Sequence, residues 1–343
     1  MASLQTSLTQ LLGIRTPLVV PPMAGVSGGA LAAQATNGGA FGFISSGYEP
    51  AETLLSELSL ARSLLESNIS DAEIISIGVG FLAWILDKMP SKEAEGLLLA
   101  ALNSNVQALW FSFGNNLGKW VQFVRDNTSE GKKPPLIFIQ VNSLEEAVYY
   151  VNNLKPDVIV AQGIESGGHG SGSAPPLSDL IQSILARFSE SPQGPIILAA
   201  GGLANGRDIA FQLSLGVSGA VLGTRFLLTP ESKYTDAQRK ALIAARSEDT
   251  VRTMAFDQAR GTLDWPEGVD GRGLRNDTVL DFEQGSSLEL LQAKFKEGIK
   301  NQDRNRFLVW AGTGVGRMAR VMPAKDVVQE LHLECEQQLS VSN

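Results

Sequence analysis

The sequence is short of the side chains that most often carry chemistry. In 343 residues it has one cysteine, Cys335, and two histidines, His169 and His332. One cysteine excludes an internal disulfide and fits a reducing compartment, so a cytoplasmic protein is expected. Cys335 reads as an inert thiol on a terminal helix rather than a redox centre. With so few imidazoles and thiols, a His/Cys metal cluster is excluded and no metal is expected. Charged residues are also sparse, at 19%, and the net charge is −8. That balance, without any basic stripe interleaved with aromatics, argues against a nucleic-acid surface. No run approaches the ~18 apolar residues of a membrane span. No basic segment leads into an apolar core at the start, so no signal peptide is expected. Ser340-Val341-Ser342-Asn343 matches no retention or peroxisomal signal. Small molecules remain as partners, and both a monomer and a homo-oligomer stay open.

What is abundant is glycine, at 35 residues, in a chain that is 43% hydrophobic. Eight apolar runs read as strands: Leu18–Val20, Phe41–Ile44, Ile74–Val79, Ala108–Phe111, Leu136–Val141, Val158–Ala161, Ile196–Ala199 and Ala220–Leu222. They are continuously apolar rather than alternating, as expected for strands covered on both faces. Helical patterns lie between them, such as Ser143–Asn153, with Ser143 and Glu146 spaced as a capping box, and Ser178–Phe188. Eight such units predict an α/β protein, a (β/α)8 barrel. A doubly wound open sheet is the competitor, but Pro22-Met23-Ala24-Gly25-Val26-Ser27-Gly28-Gly29 lacks the Gly-x-Gly-x-x-Gly spacing of a dinucleotide fold. Beyond the eighth run, charge and helix formers increase. Glu231–Asp249 and Leu288–Lys300 read as helices, Gly261–Asp281 as a loop, and no strand is expected. The expected organisation is a barrel over 1–228, a mainly helical cap over 229–306, and a closing segment with a final helix over 307–343.

Barrel active sites are built from the loops after the strands. After the seventh run comes Ala199-Ala200-Gly201-Gly202-Leu203-Ala204, and after the eighth Gly223-Thr224-Arg225-Phe226. Glycine turns opening onto helices on the last two strands favour a phosphate, although glycines also simply permit tight turns. Met23-Ala24-Gly25 offers small residues and a polarizable sulfur to a flat ring. Gln140 and Gln162 are amides at apolar strand ends, suited to a ligand or equally to a buried loop carbonyl. Asp157-Val158-Ile159-Val160 leads into Ala161-Gln162-Gly163-Ile164-Glu165-Ser166-Gly167-Gly168-His169-Gly170, a glycine loop carrying an imidazole, which can exchange a proton near neutral pH. Ser166 or Ser171 could formally complete a Ser-His-Asp triad, but no nucleophile elbow is present. Glu165 is expected to face solvent, the alternative being that it orients the loop. His332 reads as lying on a surface helix.

Taken in order, Pro22-Met23-Ala24-Gly25-Val26-Ser27, the loop ending in Gly167-Gly168-His169, the Gly201-Gly202 turn and Gly223-Thr224-Arg225-Phe226 resemble the nitronate monooxygenase family, formerly the 2-nitropropane dioxygenases. Gly273-Leu274-Arg275-Asn276 and Trp310-Ala311-Gly312-Thr313-Gly314-Val315-Gly316 resemble that family's cap and closing segments. The resemblance implies an FMN-dependent (β/α)8 barrel that oxidises alkyl nitronates with O2. It implies that Gly201, Gly202, Gly223 and Thr224 hold the FMN phosphate, and that Pro22, Met23, Ala24 and Gly25 pack by the isoalloxazine. Gln140 and Gln162 would reach polar atoms of the flavin, and Gly167 and Gly168 would complete its site. His169 matches the catalytic histidine, as base or as anchor for the anionic nitronate.

Some residues depart from the family pattern. Phe41 and Phe43 flank Gly42 where small residues are usual, Ser166 stands for an alanine, and Gly78-Val79-Gly80-Phe81 lacks amide side chains. With Tyr48, Trp84 and Trp110 near strand ends, a wide aromatic pocket is expected, open to a larger organic molecule. An FMN-dependent enoyl-thioester reductase using NAD(P)H, which shares a similar Gly-Gly-His loop, is the other enzyme reading. A flavin-binding scaffold and a cofactor-free lyase or isomerase complete the alternatives.

Overall fold

The computed structural model describes residues 3–66, 73–128, 131, 133–188, 194–301 and 303–342. Among them the strands are β1 (Leu18–Val20), β2 (Phe41–Ser46), β3 (Ile75–Leu82), β4 (Val106–Ser112), β5 (Leu136–Val141), β6 (Val158–Gln162), β7 (Gly168–Ser171), β8 (Ile196–Ala200), β9 (Gly219–Val221), β10 (Thr250–Thr253) and β11 (Val269–Leu274). All except β7, β10 and β11 close into one parallel barrel, with β9 pairing back onto β1. The eight apolar runs are thus the eight barrel strands, flanked by helices.

The barrel interior is filled by side chains rather than left as a pore. Val19, Phe41, Ala108, Trp110, Phe138, Val160 and Leu198 face inward and are buried. Phe43 sits among them, with the rings of Phe41, Trp110 and Phe138 edge-on at 5.2, 5.3 and 5.2 Å. A side chain at Gly78 would overlap the Phe43 ring, and one at Gly80 would overlap Pro22. The glycines that replace amide side chains on β3 therefore make room for the aromatic filling and for the turn after β1.

Four expectations need correction. Residues 229–306 are not free of strands: β10, β11 and β7 form an antiparallel sheet of their own, in the order β10-β11-β7. The supposed loop Gly261–Asp281 contains β11 and leads into the helix Asp277–Glu283, while Glu231–Asp249 shortens to a helix at Asp236–Ala244 and a 3-10 turn at Ser247–Asp249. His332 is not on a surface helix. The helix Ala324–Ser342 covers the β1–β9 side of the barrel, packed against the helices Gly29–Gly38 and Gly206–Ser214. It buries His332, whose Nδ1 lies 2.9 Å from Thr16 Oγ1. Burial also pushes the Cys335 thiol up to about 12, in keeping with an inert thiol.

Helix starts follow local chemistry. Ser143 accepts the Glu146 amide hydrogen at 3.1 Å and begins the helix Leu144–Leu154. The return arm of the box lands one residue early, with the Glu146 carboxylate on the Asn142 amide at 2.6 Å. No helix among the described residues is long and apolar enough to cross a membrane.

Candidate active site

At the carboxyl ends of the barrel strands lies a cleft enclosing about 1170 Å³ of empty space, mouth included. Pro22, Met23, Ala24, Gln140, Gln162, Gly167, Gly168, His169, Gly201, Gly202, Gly223 and Thr224 all line it. Gly25 does not. It lies exposed outside the cleft, and its φ of +72° makes the turn in which the Val26 and Ser27 amides donate to the Met23 carbonyl.

The end of the cleft beyond β8 and β9 presents donors. Gly201 and Gly202 have φ of +124° and +69°, a left-handed backbone that only glycine adopts without strain. Their amides, and those of Gly223 and Thr224, donate to no described group. Thr224 Oγ1 accepts the Gly312 amide at 3.0 Å, which leaves its own hydrogen to give. A methyl at Gly223 would touch nothing closer than Met23 Sδ at 3.5 Å, so the turn is open. Ser166 Oγ, next to Gly170 of β7, is buried with no hydrogen-bond partner. Unpartnered backbone amides lining one cleft, with the Thr224 hydroxyl free to donate, suit an anion. Gly167 serves a second purpose, since a side chain there would overlap Ala311 and Gly312 of the closing segment.

The two glutamines meet each other. Gln140 Nε2 donates to Gln162 Oε1 at 3.0 Å, and Asn142 Nδ2 donates to the same oxygen at 2.9 Å. Gln162 Nε2 donates to the His169 carbonyl at 3.2 Å. Gln162 is thus tied to a carbonyl of β7, while Gln140 keeps its oxygen for the cleft. Asn142, which no sequence motif marks, follows directly after β5, two residues beyond Gln140. Glu165 does not face solvent. Its carboxylate accepts the Leu177 amide at 3.1–3.2 Å, starting the helix Leu177–Phe188, and its carbonyl accepts the Thr313 amide.

His169 sits on a strand rather than in a loop. It lies in β7 opposite Gly271 of β11, and a side chain at Gly271 would strike the Trp310 ring at 2.5 Å. The imidazole stacks on Trp265 with centroids 3.6 Å apart and planes 12° from parallel, and Trp310 meets it at 4.8 Å, inclined by 64°. Its Nε2 is 3.0 Å from Asp257 Oδ1. The same oxygen accepts Thr262 Oγ1 at 2.9 Å and Trp265 Nε1 at 3.1 Å. Asp257 is fully buried, and its Oδ2 has no hydrogen-bond partner. Arg252 ties the sheet together, with Nε on Asp270 at 2.6 Å and Nη2 on the Gly170 carbonyl at 2.8 Å.

Aromatic residues wall the cleft, as expected, but not all the expected ones. Tyr48 and Trp110 line it, whereas Trp84 stands behind, 5.1 Å from Trp265. Trp265, Phe113, Tyr234 and Trp310 complete the wall. Tyr48 is 41% exposed, and partial desolvation raises its hydroxyl to about 12, above an ordinary value at which tyrosine is already neutral at physiological pH. No three His, Cys, Asp or Glu gather as a metal site among the described residues.

Unpartnered backbone amides and an imidazole lining one strand-end cleft are the arrangement of a (β/α)8-barrel enzyme for a small organic substrate. The nitronate monooxygenase family model matches residues 5–70 and 99–334. A nitronate monooxygenase of Neurospora crassa is 30% identical over 98% of this chain and 95% of its own length. Nitroalkane oxidase from Streptomyces ansochromogenes superposes with a TM-score of 0.78 at 25% identity, covering 98% of this chain and 99% of its own. FabK from Thermotoga maritima gives a TM-score of 0.78 at 22% identity, covering 99% of each chain, a likeness of fold alone. The chain belongs to the nitronate monooxygenase family and is an oxidoreductase.

Proposed function

We propose that the cleft binds FMN without a covalent link and that the enzyme oxidises alkyl nitronates with O2. The observation that carries this reading is the set of four unpartnered amides at Gly201, Gly202, Gly223 and Thr224, sharing one cleft with His169. They suit a single phosphate, and Met23, Ala24 and Pro22 offer a flat apolar floor for a ring system. Gln140 presents an amide oxygen to the ring's polar edge. When bound, FMN supplies the electron acceptor that takes two electrons from the nitronate and passes them to O2. The chain's own part is position and electrostatics. His169 accepts the proton from the carbon beside a nitro group, or holds the nitronate as an anion. In this reading 1–228 and 307–343 hold the flavin, 229–306 covers the substrate, and the enzyme works in the cytoplasm.

The test is direct. The purified protein is expected to be yellow and to release FMN, not FAD, on heat denaturation. Anaerobic mixing with a nitronate is expected to bleach the flavin bands, and mixing with NADPH is not. Bleaching by NADPH would favour the enoyl-thioester reductase reading, against which the net charge of −8 weighs where an acidic acyl carrier would have to dock. A larger substrate is the second reading, favoured by the wall of Tyr48, Phe113, Trp265 and Trp310. It expects kcat/KM to rise as the alkyl chain of the nitronate lengthens.

A further inference from the structure

His169 reaches the cleft with one ring nitrogen already committed. Its Nε2 faces Asp257 Oδ1, an oxygen that also takes a hydrogen from the indole of Trp265 and from the hydroxyl of Thr262. An indole N–H can only donate. Oδ1 is therefore an acceptor, and the bond to His169 is best made by a hydrogen on Nε2. That leaves the lone pair on Nδ1, which has no hydrogen-bond partner among the described residues and is not among the sealed polar atoms. The ring cannot easily turn over, because Trp265 lies flat against it and Trp310 meets its edge.

We propose that Asp257 is the positioning residue of the site: it fixes the imidazole so that Nδ1 faces the substrate as proton acceptor, and its buried charge offsets the charge the ring then gains. The proposal rests on the reading of His169 as proton acceptor. In the step, the C–H bond beside the nitro group breaks, its electron pair becomes the C=N bond, and the N=O π pair moves onto oxygen as the negative charge of the nitronate. The proton forms a new bond to Nδ1, the neutral imidazole becomes imidazolium, and Asp257 is unchanged. A pre-formed nitronate needs no such transfer, so it bypasses the charge that Asp257 offsets. Sequence alone gives no hint of the pair, whose members stand 88 residues apart.

Two measurements on the full-length protein test it. With only two histidines in the chain, a ¹⁵N-histidine spectrum of the flavin-free protein has two imidazoles to assign, and His169→Asn identifies which is which. The neutral ring of His169 is expected to carry its hydrogen on Nε2, and a hydrogen on Nδ1 would overturn the assignment without any kinetic measurement. Asp257→Asn keeps an oxygen where Oδ1 stands and removes the charge. Turnover of a neutral nitroalkane is expected to fall by about tenfold or more, within the ~10²–10⁴-fold that a positioned base contributes. Oxidation of the pre-formed nitronate is expected to stay within roughly threefold, since it makes no use of the transferred proton. Equal losses on both substrates would make Asp257 a merely structural residue. If His169→Asn spares the neutral substrate, the proton-acceptor reading falls and takes this role with it. An Nδ1–H tautomer removes Asp257 alone.

Discussion

The barrel and the small sheet beside it are built on different physics. In the barrel, β2 carries Phe41, Phe43 and Ile44, all fully buried, and neighbouring strands are just as apolar. In the small sheet, only Gly271 and Gly273 of β11 are buried, and β10 reads Thr-Val-Arg-Thr with one buried residue. The barrel is held by burial of apolar surface. The sheet is held by its ladder, by Arg252 on Asp270, and by rings packed on glycine. Each contributes to the cleft: the unpartnered amides proposed to hold the phosphate follow β8 and β9, and the imidazole stands on β7. Damage to the barrel should therefore appear first as lost stability, and damage to the sheet as lost turnover.

The largest effect should come from the barrel centre. Phe43→Ala leaves a hole between three aromatic rings, and a loss of about 3–5 kcal/mol is expected by denaturant unfolding. A loss under about 1 kcal/mol would show that the interior is not close-packed there. Gly271→Ala tests the sheet, since the added methyl strikes the Trp310 ring. Overpacking of this kind costs about 1–3 kcal/mol. Here the imidazole should shift as well, so turnover is expected to fall further than stability alone explains, with flavin still bound. Gly223→Asp sharpens the division from the other side. Its backbone is not left-handed and its surroundings are open, so the fold is expected to survive by circular dichroism. Flavin affinity should weaken at least about tenfold, or about 1.4 kcal/mol, from a carboxylate set against a phosphate. Full retention of flavin would move the phosphate elsewhere.

The same contrast explains what could be read in advance. Continuous apolar runs such as Leu136-Ile137-Phe138-Ile139 announce strands covered on both faces, and the positions of the glycine turns after β8 and β9 follow from them. β11, Val269-Asp270-Gly271-Arg272-Gly273-Leu274, has the composition of a loop because its glycines make room for Trp310 and its charged residues bond across the sheet, Asp270 to Arg252 and Arg272 to Thr250. No apolar period marks it. Asp257 and Trp265 reach His169 only through that sheet and the chain between its strands, so nothing near His169 in sequence points to them. Gly25 belongs to a recognisable motif, but its left-handed φ serves the turn after β1 and it is not among the residues lining the cleft.

The most direct test follows flavin reduction by anaerobic stopped flow in the wild-type enzyme and in His169→Asn, each with a neutral nitroalkane and with its pre-formed nitronate. The expected result is a ~10²–10⁴-fold slower reduction by the neutral compound in the variant, with a much smaller change for the nitronate and flavin fully bound. Equal slowing of both would mean that His169 holds charge and moves no proton. No slowing of either would contradict the assignment of the small sheet as the half of the cleft that does proton chemistry.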